Sequence, residues 1–389
     1  MPELPAPSTQ ALAHSERLSG LIRQEIRASG GAIPFSRYME LCLYSPGYGY
    51  YSAGSQKFGA AGDFVTAPEI STLFGRCLAR TCSGVLEQLG QGDILEFGAG
   101  TGALAATLLA ELEQLDRLPG RYLMLERSGE LRSRQQETLR RMAPRLLDRV
   151  DWLDGLPEAG FRGVLLANEV LDAMPVERFR WSEEGIERFH VECQGDAFGW
   201  CSRETRDPEL VTAVCQLNEE PGLDPGYISE INLLLPPWLR GIAGMLERGM
   251  LLLVDYGYPR REYYHPQHRE GTLMCHYRHH AHENPFLWPG LQDITAHVDF
   301  TAVAEAGAAA ELDVLGYTNQ AWFLLDCGLE GLLQRLGPTD SATYLQQSRE
   351  AKTLILPGEM GERFKCIGLG RGIEDPVPGF RGHDFRYRL

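Results

Sequence analysis

Short apolar runs alternate with amphipathic segments between residues 93 and 168 of the chain. In the amphipathic segments, at 103–115 and 129–142, apolar residues recur every three or four positions, which indicates α-helices. The apolar runs have the length of β-strands and lie at 93–97, 121–126, 150–153 and 163–168. Strands that alternate with helices are typical of a parallel sheet covered by helices. We therefore predict an α/β fold with a Rossmann-like, doubly wound sheet.

The pattern changes on both sides of this region. Helices are predicted at 15–27 and 73–89, and much of the segment between them is crowded with tyrosine, glycine and proline. Short strands follow within 176–201, and a long helix is predicted from about 229 to 246. Pro236 and Pro237 lie inside that helix and are compatible with it only as a kink or a break.

These changes predict a core with additions. We expect an N-terminal cover, helical and rich in tyrosine and glycine, at 1–89 and a catalytic core at 90–372. A β-rich insertion at about 176–228 and a His- and Pro-rich insertion at about 258–298 decorate this core. Residues 373–389 are expected to form a C-terminal tail.

The chain of 389 residues is acidic, with 37 basic and 53 acidic side chains and a net charge of −16. This balance disfavours non-specific attraction to nucleic acid or anionic lipid and favours a basic protein partner. Its apolar runs are too short to cross a bilayer, and its N-terminus lacks the pattern of a signal or transit peptide. We therefore expect a cytoplasmic protein without membrane insertion.

Cysteine and histidine do not predict a metal site. The nine cysteines are scattered and form no CxxC pair, so neither a disulfide framework nor a cysteine zinc site is expected. Six of the ten histidines lie within 265–282, but their spacing matches no strong ligand pattern. A solvated insertion or a rim that faces the substrate explains them better.

The segment EFGAGTG, from Glu96 to Gly102, lies where the first predicted strand ends and a helix begins. Glycines at such a turn let the backbone approach a ligand, and the N–H groups of the helix face the same point. The segment also satisfies the dinucleotide pattern GxGxxA, so a nicotinamide oxidoreductase is one interpretation. Glu96, Gly98, Gly100 and Gly102 together give E-x-G-x-G-x-G, which favours S-adenosylmethionine, and Thr101 belongs to the same loop.

Two further strand ends complete the candidate cofactor site. Glu126, at the end of the second predicted strand, suits either cofactor because it can accept hydrogen bonds from ribose hydroxyls. Asp151 and Trp152 end the third strand, where methyltransferases contact the adenine by stacking and through its exocyclic amine. Trp152 is equally explained as an ordinary core residue.

The fourth strand ends in the segment NEVLDAMP, at 168–175. In methyltransferases this strand end faces the transferred methyl group, where carboxylates and an amide can orient an amine or guanidinium nucleophile. Glu169 and Asp172 are therefore the leading candidates for contact with the substrate, and Asn168 is a candidate for orienting it. A turn at DAMP explains Asp172 about as well, but it does not explain Glu169.

Several long motifs occur in order along the chain, and together they resemble the MidA family over about residues 21–372. The motifs are IPFSRYMELCLYSPGYGYYS, FGAAGDFVTAPEISTLFG, EFGAGTG, NEVLDAMPVERF, LLLVDYGYP, PGLQDITAHVDF and EMGERFKCIGLG. The MidA proteins are bacterial relatives of the mitochondrial methyltransferase that assists complex I assembly. The resemblance implies a class I methyltransferase fold, with S-adenosylmethionine as methyl donor and S-adenosylhomocysteine as product.

The resemblance also implies roles for individual residues and a substrate. It assigns cofactor binding to Glu96, the three loop glycines and Glu126, and it suggests a lid formed by Thr66, Pro68 and Glu69. A helix start is the alternative role for Glu69. For the mitochondrial members it implies dimethylation of an arginine on a complex I subunit. We expect a protein arginine methyltransferase, and the alternative is a non-catalytic assembly factor that binds S-adenosylmethionine while it holds a respiratory subunit.

Overall fold

The computed structural model describes residues 4–52, 66–336, 338–339 and 341–389. In this part of the chain the α-helices are α1 Thr9–Ala28, α2 Phe35–Tyr44, α3 Ala67–Ile70, α4 Thr72–Leu89, α5 Ala103–Gln114, α6 Gly129–Met142, α7 Pro208–Asn218, α8 Leu235–Met245, α9 Arg260–Tyr263, α10 Phe300–Ala309, α11 Gln320–Asp326, α12 Leu329–Gln334 and α13 Ala342–Ile355. Short 3₁₀ turns occur at Pro144–Arg149, Pro266–His268 and Arg386–Arg388. No helix among the described residues combines the length and the apolar character that a membrane span requires.

The strands of the described residues are β1 Ala32–Pro34, β2 Asp93–Phe97, β3 Tyr122–Leu125, β4 Val150–Leu153, β5 Phe161–Asn168, β6 Glu177–Ser182, β7 Gly185–Gln194, β8 Ala197–Glu204, β9 Ile228–Ile231, β10 Leu246–Tyr258, β11 Met274–Tyr277, β12 His280–His282, β13 Asp293–Thr295, β14 Val298–Asp299, β15 Asp313–Asn319 and β16 Phe364–Arg371. The predicted strands at 93–97 and 150–153 and the predicted helix at 129–142 have these same bounds.

The chain forms two compact units, each assembled from separate stretches of sequence. The first unit contains the described residues of 1–64, together with 171–237 and 258–299. The second unit contains the described residues of 65–170, 238–257 and 300–389. Both expected insertions belong to the first unit. Helix α4, which lies within the expected N-terminal cover at 1–89, belongs to the second unit.

The second unit is built on a seven-stranded sheet in the order β15-β16-β10-β5-β2-β3-β4. The strands from β10 to β4 are parallel, whereas β16 runs antiparallel to both β10 and β15. The predicted doubly wound α/β fold is confirmed, with one antiparallel strand, β16, between β10 and the edge strand β15. Strand β2 is the first strand of this sheet, and it pairs with β3 on one side and with β5 on the other. The strand order therefore reverses at β2. Ligands of open α/β sheets bind at such a point.

Buried apolar side chains hold this sheet to its helices. Helices α4 and α5 bury residues such as Phe74, Leu78, Leu104 and Leu108 in one cluster with the strand residue Ile94. Burial of each large apolar side chain contributes about 1.5–3 kcal/mol to the free energy of unfolding. The loop between β2 and α5 is therefore anchored by well-packed elements on both sides.

The first unit contains its own antiparallel sheet in the order β1-β7-β6-β9, with β8 paired to β7. The predicted strands within 176–201 are therefore present, and they form part of this sheet. Helices α1 and α2 cover it, and Leu18, Ile22, Phe35 and Tyr38 are fully buried in its core. The His- and Pro-rich segment contributes a small sheet of β12, β11 and β13.

The prediction of one long helix at about 229–246 is wrong in its N-terminal part and correct from Leu235 onward. Residues 228–231 form β9, and the helix begins only at Leu235. Asn232 Oδ1 accepts hydrogen bonds from the backbone N–H groups of Leu234 and Leu235, both at 3.0 Å. Pro236 and Pro237 then occupy the first turn, where a helix loses nothing by lacking their N–H groups. The two prolines mark the start of the helix and not a break within it.

Candidate functional site

The glycine-rich loop leaves β2 at the point where the strand order of the second unit reverses. Gly98, Gly100 and Gly102 have φ angles of +64°, +50° and +82°, which glycine adopts without strain. No described atom lies within 4 Å of the place that a Cβ on Gly100 would take. Helix α5 begins without a side chain that caps its N–H groups. The loop and the helix start therefore offer backbone donors and open space to an anionic group such as a carboxylate.

The predicted lid residues are connected to this loop within the second unit. Thr101 Oγ1 donates a short hydrogen bond to Glu69 Oε1. Glu69 lies in the short helix α3. Thr66 is the N-cap of this helix, and Pro68 lies in its first turn. The structure thus brings Glu69 to the loop while also giving it the helix-start position that was the alternative. The motif residues 58–65 lie outside the described residues.

Glu96 lies below the loop and is 3% exposed. Burial raises its pKa to about 7, although the hydrogen bond from Tyr122 Oη to Glu96 Oε2, at 2.7 Å, favours the ionised form. The carboxyl group is therefore enclosed by the core beneath the glycines. Its contact with a cofactor stays a prediction.

Glu126 lies just beyond the end of β3, and its carboxylate is held from two sides. Oε1 accepts a hydrogen bond from the Ser128 N–H at 2.8 Å, and Oε2 accepts one from Gln135 Nε2 at 3.3 Å. Each carboxylate oxygen has a second lone pair, so the group can still accept hydrogen bonds from a ligand hydroxyl. The predicted role of Glu126 is compatible with this geometry.

Asp151 and Trp152 are adjacent on β4, but they have different partners. Asp151 forms an ion pair with Arg121, whose Nε and Nη2 both approach Oδ2. Trp152 Nε1 donates a 2.8 Å hydrogen bond to Gln135 Oε1. Neighbouring side chains of a strand point to opposite faces, so the two residues cannot share one face of the strand. Gln135 bonds to both Trp152 and Glu126 and so connects these two candidate residues, whereas Asp151 contacts Arg121.

Gln135 was not identified from the sequence. It lies on α6, is fully buried, and contacts the glycine loop, Glu126 and Trp152. The spacing of residues along α6 could have indicated that Gln135 is buried. Gln135 lies four residues after Leu131 and four before Leu139, on the apolar stripe of the helix.

Strand β5 ends at Asn168, and Glu169 is the first residue of the turn that follows it. Asn168 Nδ2 donates to Glu169 Oε1 at 3.1 Å, and Asn168 Oδ1 is buried without a hydrogen-bond partner among the described residues. Glu169 has a φ of +52°, which is uncommon for a residue with a side chain. Such backbone strain clusters at functional sites.

Strand β10 holds this turn in place. The N–H of Glu169 donates to the Val254 carbonyl at 2.9 Å, and the N–H of Val170 donates to Asp255 Oδ2 at 3.2 Å. Asp255 is 1% exposed, and its Oδ1 accepts a hydrogen bond from the N–H of Tyr256. The motif LLLVDYGYP therefore has a structural function that sequence reasoning did not assign, because Asp255 supports a turn that is distant in sequence.

Asp172 belongs to the first unit and is 5% exposed. Burial raises the pKa of the Tyr44 and Tyr51 hydroxyls, and the nearby carboxylates of Asp172 and Asp293 raise both further. A backbone hydrogen bond from Met174 N–H to the Leu171 carbonyl closes the turn that was the alternative explanation for Asp172. Its contact with a substrate stays a prediction.

Among the described residues, no three His, Cys, Asp or Glu side chains form a group that could bind a metal ion. Burial lowers the pKa of His276 and His282 in the His-rich segment. All nine cysteines are free thiols.

Comparison with known proteins identifies what this chain is similar to. A family described as "Putative S-adenosyl-L-methionine-dependent methyltransferase" matches residues 77–318. The protein arginine methyltransferase NDUFAF7 of Danio rerio is 27% identical over 365 residues, which cover 87% of this chain and 83% of the relative. Its Caenorhabditis elegans homologue is 27% identical over 388 residues, covering 91% and 86%.

Two solved structures from Burkholderia thailandensis match the whole chain. One, described as a "likely methyl transferase" bound to S-adenosylhomocysteine, is 46% identical with a TM-score of 0.95, and the match covers 100% of both chains. The other is a native structure, 45% identical with a TM-score of 0.92 and the same coverage. The expected class I methyltransferase fold and the family resemblance drawn from the motifs are both confirmed.

Proposed function

The chain belongs to the family of S-adenosyl-L-methionine-dependent methyltransferases, and we propose that it methylates an arginine side chain of another protein. The observation that carries the choice of arginine is the acceptor pair after β5, formed by the buried Oδ1 of Asn168 and the carboxylate of Glu169. A guanidinium group has only donors, arranged in a planar fork, and it is matched by a site that presents oxygen acceptors.

The second unit carries the cofactor in this proposal. S-adenosylmethionine, when bound, supplies a methyl group on a positively charged sulfur. The backbone N–H groups of Gly100 and of the start of α5 would bind its carboxylate end, and Glu126 would accept hydrogen bonds from its ribose. Trp152 packs against the adenine. Thr66, Pro68 and Glu69 close over the loop, supported by the bond between Thr101 and Glu69.

Glu169 aligns the nucleophile. Its carboxylate, oriented by Asn168 Nδ2, draws positive charge onto one guanidinium nitrogen and fixes that nitrogen for in-line attack. As the nitrogen–carbon bond forms and the carbon–sulfur bond breaks, the nitrogen loses one proton. Glu169 would accept that proton, and S-adenosylhomocysteine would be the other product. Asp172, which belongs to the first unit, is a second candidate carboxylate for contact with the substrate.

The partner is a protein with a basic segment, because the chain carries a net charge of −16. The relatives named protein arginine methyltransferases support an arginine of a protein as the acceptor. The MidA resemblance supports a subunit of a complex I-type respiratory enzyme as the substrate. We place the protein in the cytoplasm. Nine free thiols support a reducing compartment, and fractionation of cells with an antibody to the chain tests this location.

Labelled S-adenosylmethionine tests the proposed function directly. Purified protein is incubated with the labelled donor and a lysate from a strain that lacks it, and methylated peptides are then sequenced. We expect label on an arginine, loss of at least about 100-fold in rate for Glu169→Gln, and an unchanged rate for Glu311→Gln. Glu311 is exposed and belongs to neither part of the site.

The same variants separate catalysis from subunit holding. If Glu169→Gln abolishes labelling but restores the deletion strain fully, the cellular role of the protein is to hold its partner, and methylation is not required for that role. Absence of any labelled protein, despite binding of S-adenosylhomocysteine, contradicts the enzymatic proposal.

A further inference from the structure

We propose that Gln135 is a positioning residue for the cofactor, which sets the geometry of Glu126 and Trp152 before the adenosine half binds. The inference rests on the proposed cofactor site. It adds a residue that lies one layer behind that site, on α6.

The amide group of Gln135 joins three separate elements of the second unit. Nε2 donates to the carbonyl of Gly100 in the glycine loop at 3.1 Å and to Glu126 Oε2, beyond the end of β3, at 3.3 Å. Oε1 accepts from Trp152 Nε1, on β4, at 2.8 Å. The side chain is 0% exposed, so water does not compete for these contacts.

Only one orientation of this amide fits its surroundings. The indole N–H of Trp152 is a donor without acceptor capacity, whereas the Gly100 carbonyl and the Glu126 carboxylate are acceptors. If the amide were rotated by 180°, its NH₂ group would face the indole N–H and its oxygen would face two acceptors. The amide is therefore held in one state, and it holds the ring of Trp152 and one oxygen of Glu126 in turn.

The backbone of α6 lies unusually close to the loop at this residue. A Cβ on Gly102 would lie 3.1 Å from Gln135 Cα and 3.3 Å from Gln135 Cβ. The loop and the helix are thus in contact through both backbone and side chain, so a change at residue 135 acts on the loop directly. Glutamine is suited to this place because it supplies two donors and one acceptor from a neutral side chain.

A leucine at this position would leave buried groups without partners. The Gly100 carbonyl and the Trp152 N–H would lose the contacts that Gln135 provides, and the Glu126 carboxylate would lose its bond from Gln135 while it keeps the one from Ser128. Ligand binding must then order both side chains, which weakens affinity without removing any atom that touches the ligand.

Titration calorimetry with S-adenosylhomocysteine tests the inference on the full chain. For Gln135→Leu we expect Kd to rise about tenfold with unchanged stoichiometry. The matched control is Gln136→Leu, the next residue on the same helix, whose side chain accepts a hydrogen bond from Arg140. The Kd of this variant should equal that of the unchanged protein. In activity assays the KM for S-adenosylmethionine should rise for Gln135→Leu while kcat is retained.

A double-mutant cycle identifies the path of the effect. Trp152→Phe keeps an aromatic ring but removes the N–H that bonds to Gln135. We expect Gln135→Leu to raise Kd by a smaller factor in the Trp152→Phe background than in the unchanged protein, because the two changes break one bond in common. Fully additive effects on affinity would contradict positioning through Trp152.

Reduced stoichiometry with an unchanged Kd would overturn the proposal, since it would mean that Gln135 only maintains the folded fraction. Gln135→Glu covers the case in which leucine prevents folding, because it retains the size and the acceptor for Trp152 but loses the donors. An unchanged Kd for that variant would also overturn the proposal. If the unchanged protein binds no S-adenosylhomocysteine, the cofactor site and this inference fail together. Binding without arginine methylation contradicts the proposed function alone.

Discussion

At the scale of the residue, Glu169 combines a strained backbone with an oriented carboxylate. Its φ of +52° costs on the order of 1 kcal/mol, and hydrogen bonds from two consecutive N–H groups to β10 hold it there. The strained position and the carboxylate coincide at the residue that the sequence singled out as a substrate contact. This combination is expected where a protein gives up stability for activity.

Glu169→Gly should therefore raise stability and abolish methyl transfer. Relief of the left-handed conformation is expected to increase the free energy of unfolding by about 1 kcal/mol, measured by urea denaturation. Glu311→Gly is the matched control, because Glu311 has a φ of +60° at an exposed turn between α10 and β15. It should gain similar stability and keep full activity. A Glu169→Gly variant that remains active would contradict the assigned role.

Glu96→Gln should change how stability depends on pH. The folded protein raises the pKa of Glu96 to about 7, so it holds the proton more tightly than the unfolded chain does. The free energy of unfolding therefore falls as pH rises from about 4.5 to about 7, by about 3 kcal/mol. The advantage of Glu96→Gln over the unchanged protein should grow across that window and then level off. Glu113→Gln, exposed on α5, should show no such trend in parallel denaturation curves.

At the scale of the element, periodic segments could be predicted and contacts between elements could not. Strands β2 and β4 and helix α6 have the bounds predicted from apolar spacing alone, because that spacing reports burial directly. The helix expected at about 229–246 was wrong because proline pairs can open a helix as well as break one. Gln135 and Asp255 act across elements, and a local pattern carries no information about such partners.

Strand β6 of the first unit offers a paired test of buried and exposed ion pairs. Arg178 contacts the fully buried Glu230 on β9 at 3.0 Å, whereas Arg180, two residues on, pairs with the half-exposed Glu187 at 2.8 Å. Arg178→Met should cost about 3–5 kcal/mol of unfolding free energy, because it leaves a buried carboxylate unpaired. Arg180→Met should cost less than about 1 kcal/mol. Equal costs in denaturant titrations would contradict this assignment.

At the scale of the whole molecule, each compact unit is discontinuous in sequence. The candidate insertions at 176–228 and 258–298 join the N-terminal residues in the first unit. Sequence reasoning predicted that these segments interrupt the core, since the βα alternation stops there. It could not predict their association, because the core of the first unit unites apolar residues from segments more than 100 positions apart, such as Tyr38 and Val191.

The net charge of −16 gives a prediction at this scale. For a basic arginine-containing substrate, kcat/KM should fall several-fold as ionic strength rises from about 0.05 to about 0.5 M, because salt screens the attraction that brings the two together. The kcat at saturating substrate should change much less. An acidic substrate measured in parallel should show the opposite trend in kcat/KM.

Quantitative mass spectrometry of arginine methylation tests the central claim most directly. Proteins from cells that contain the chain, lack it, or carry only Glu169→Gln are compared for mono- and dimethylated arginine. We expect at least one arginine that is methylated only when the unchanged protein is present, and unmethylated in both other strains. Identical arginine methylation in all three strains would contradict it.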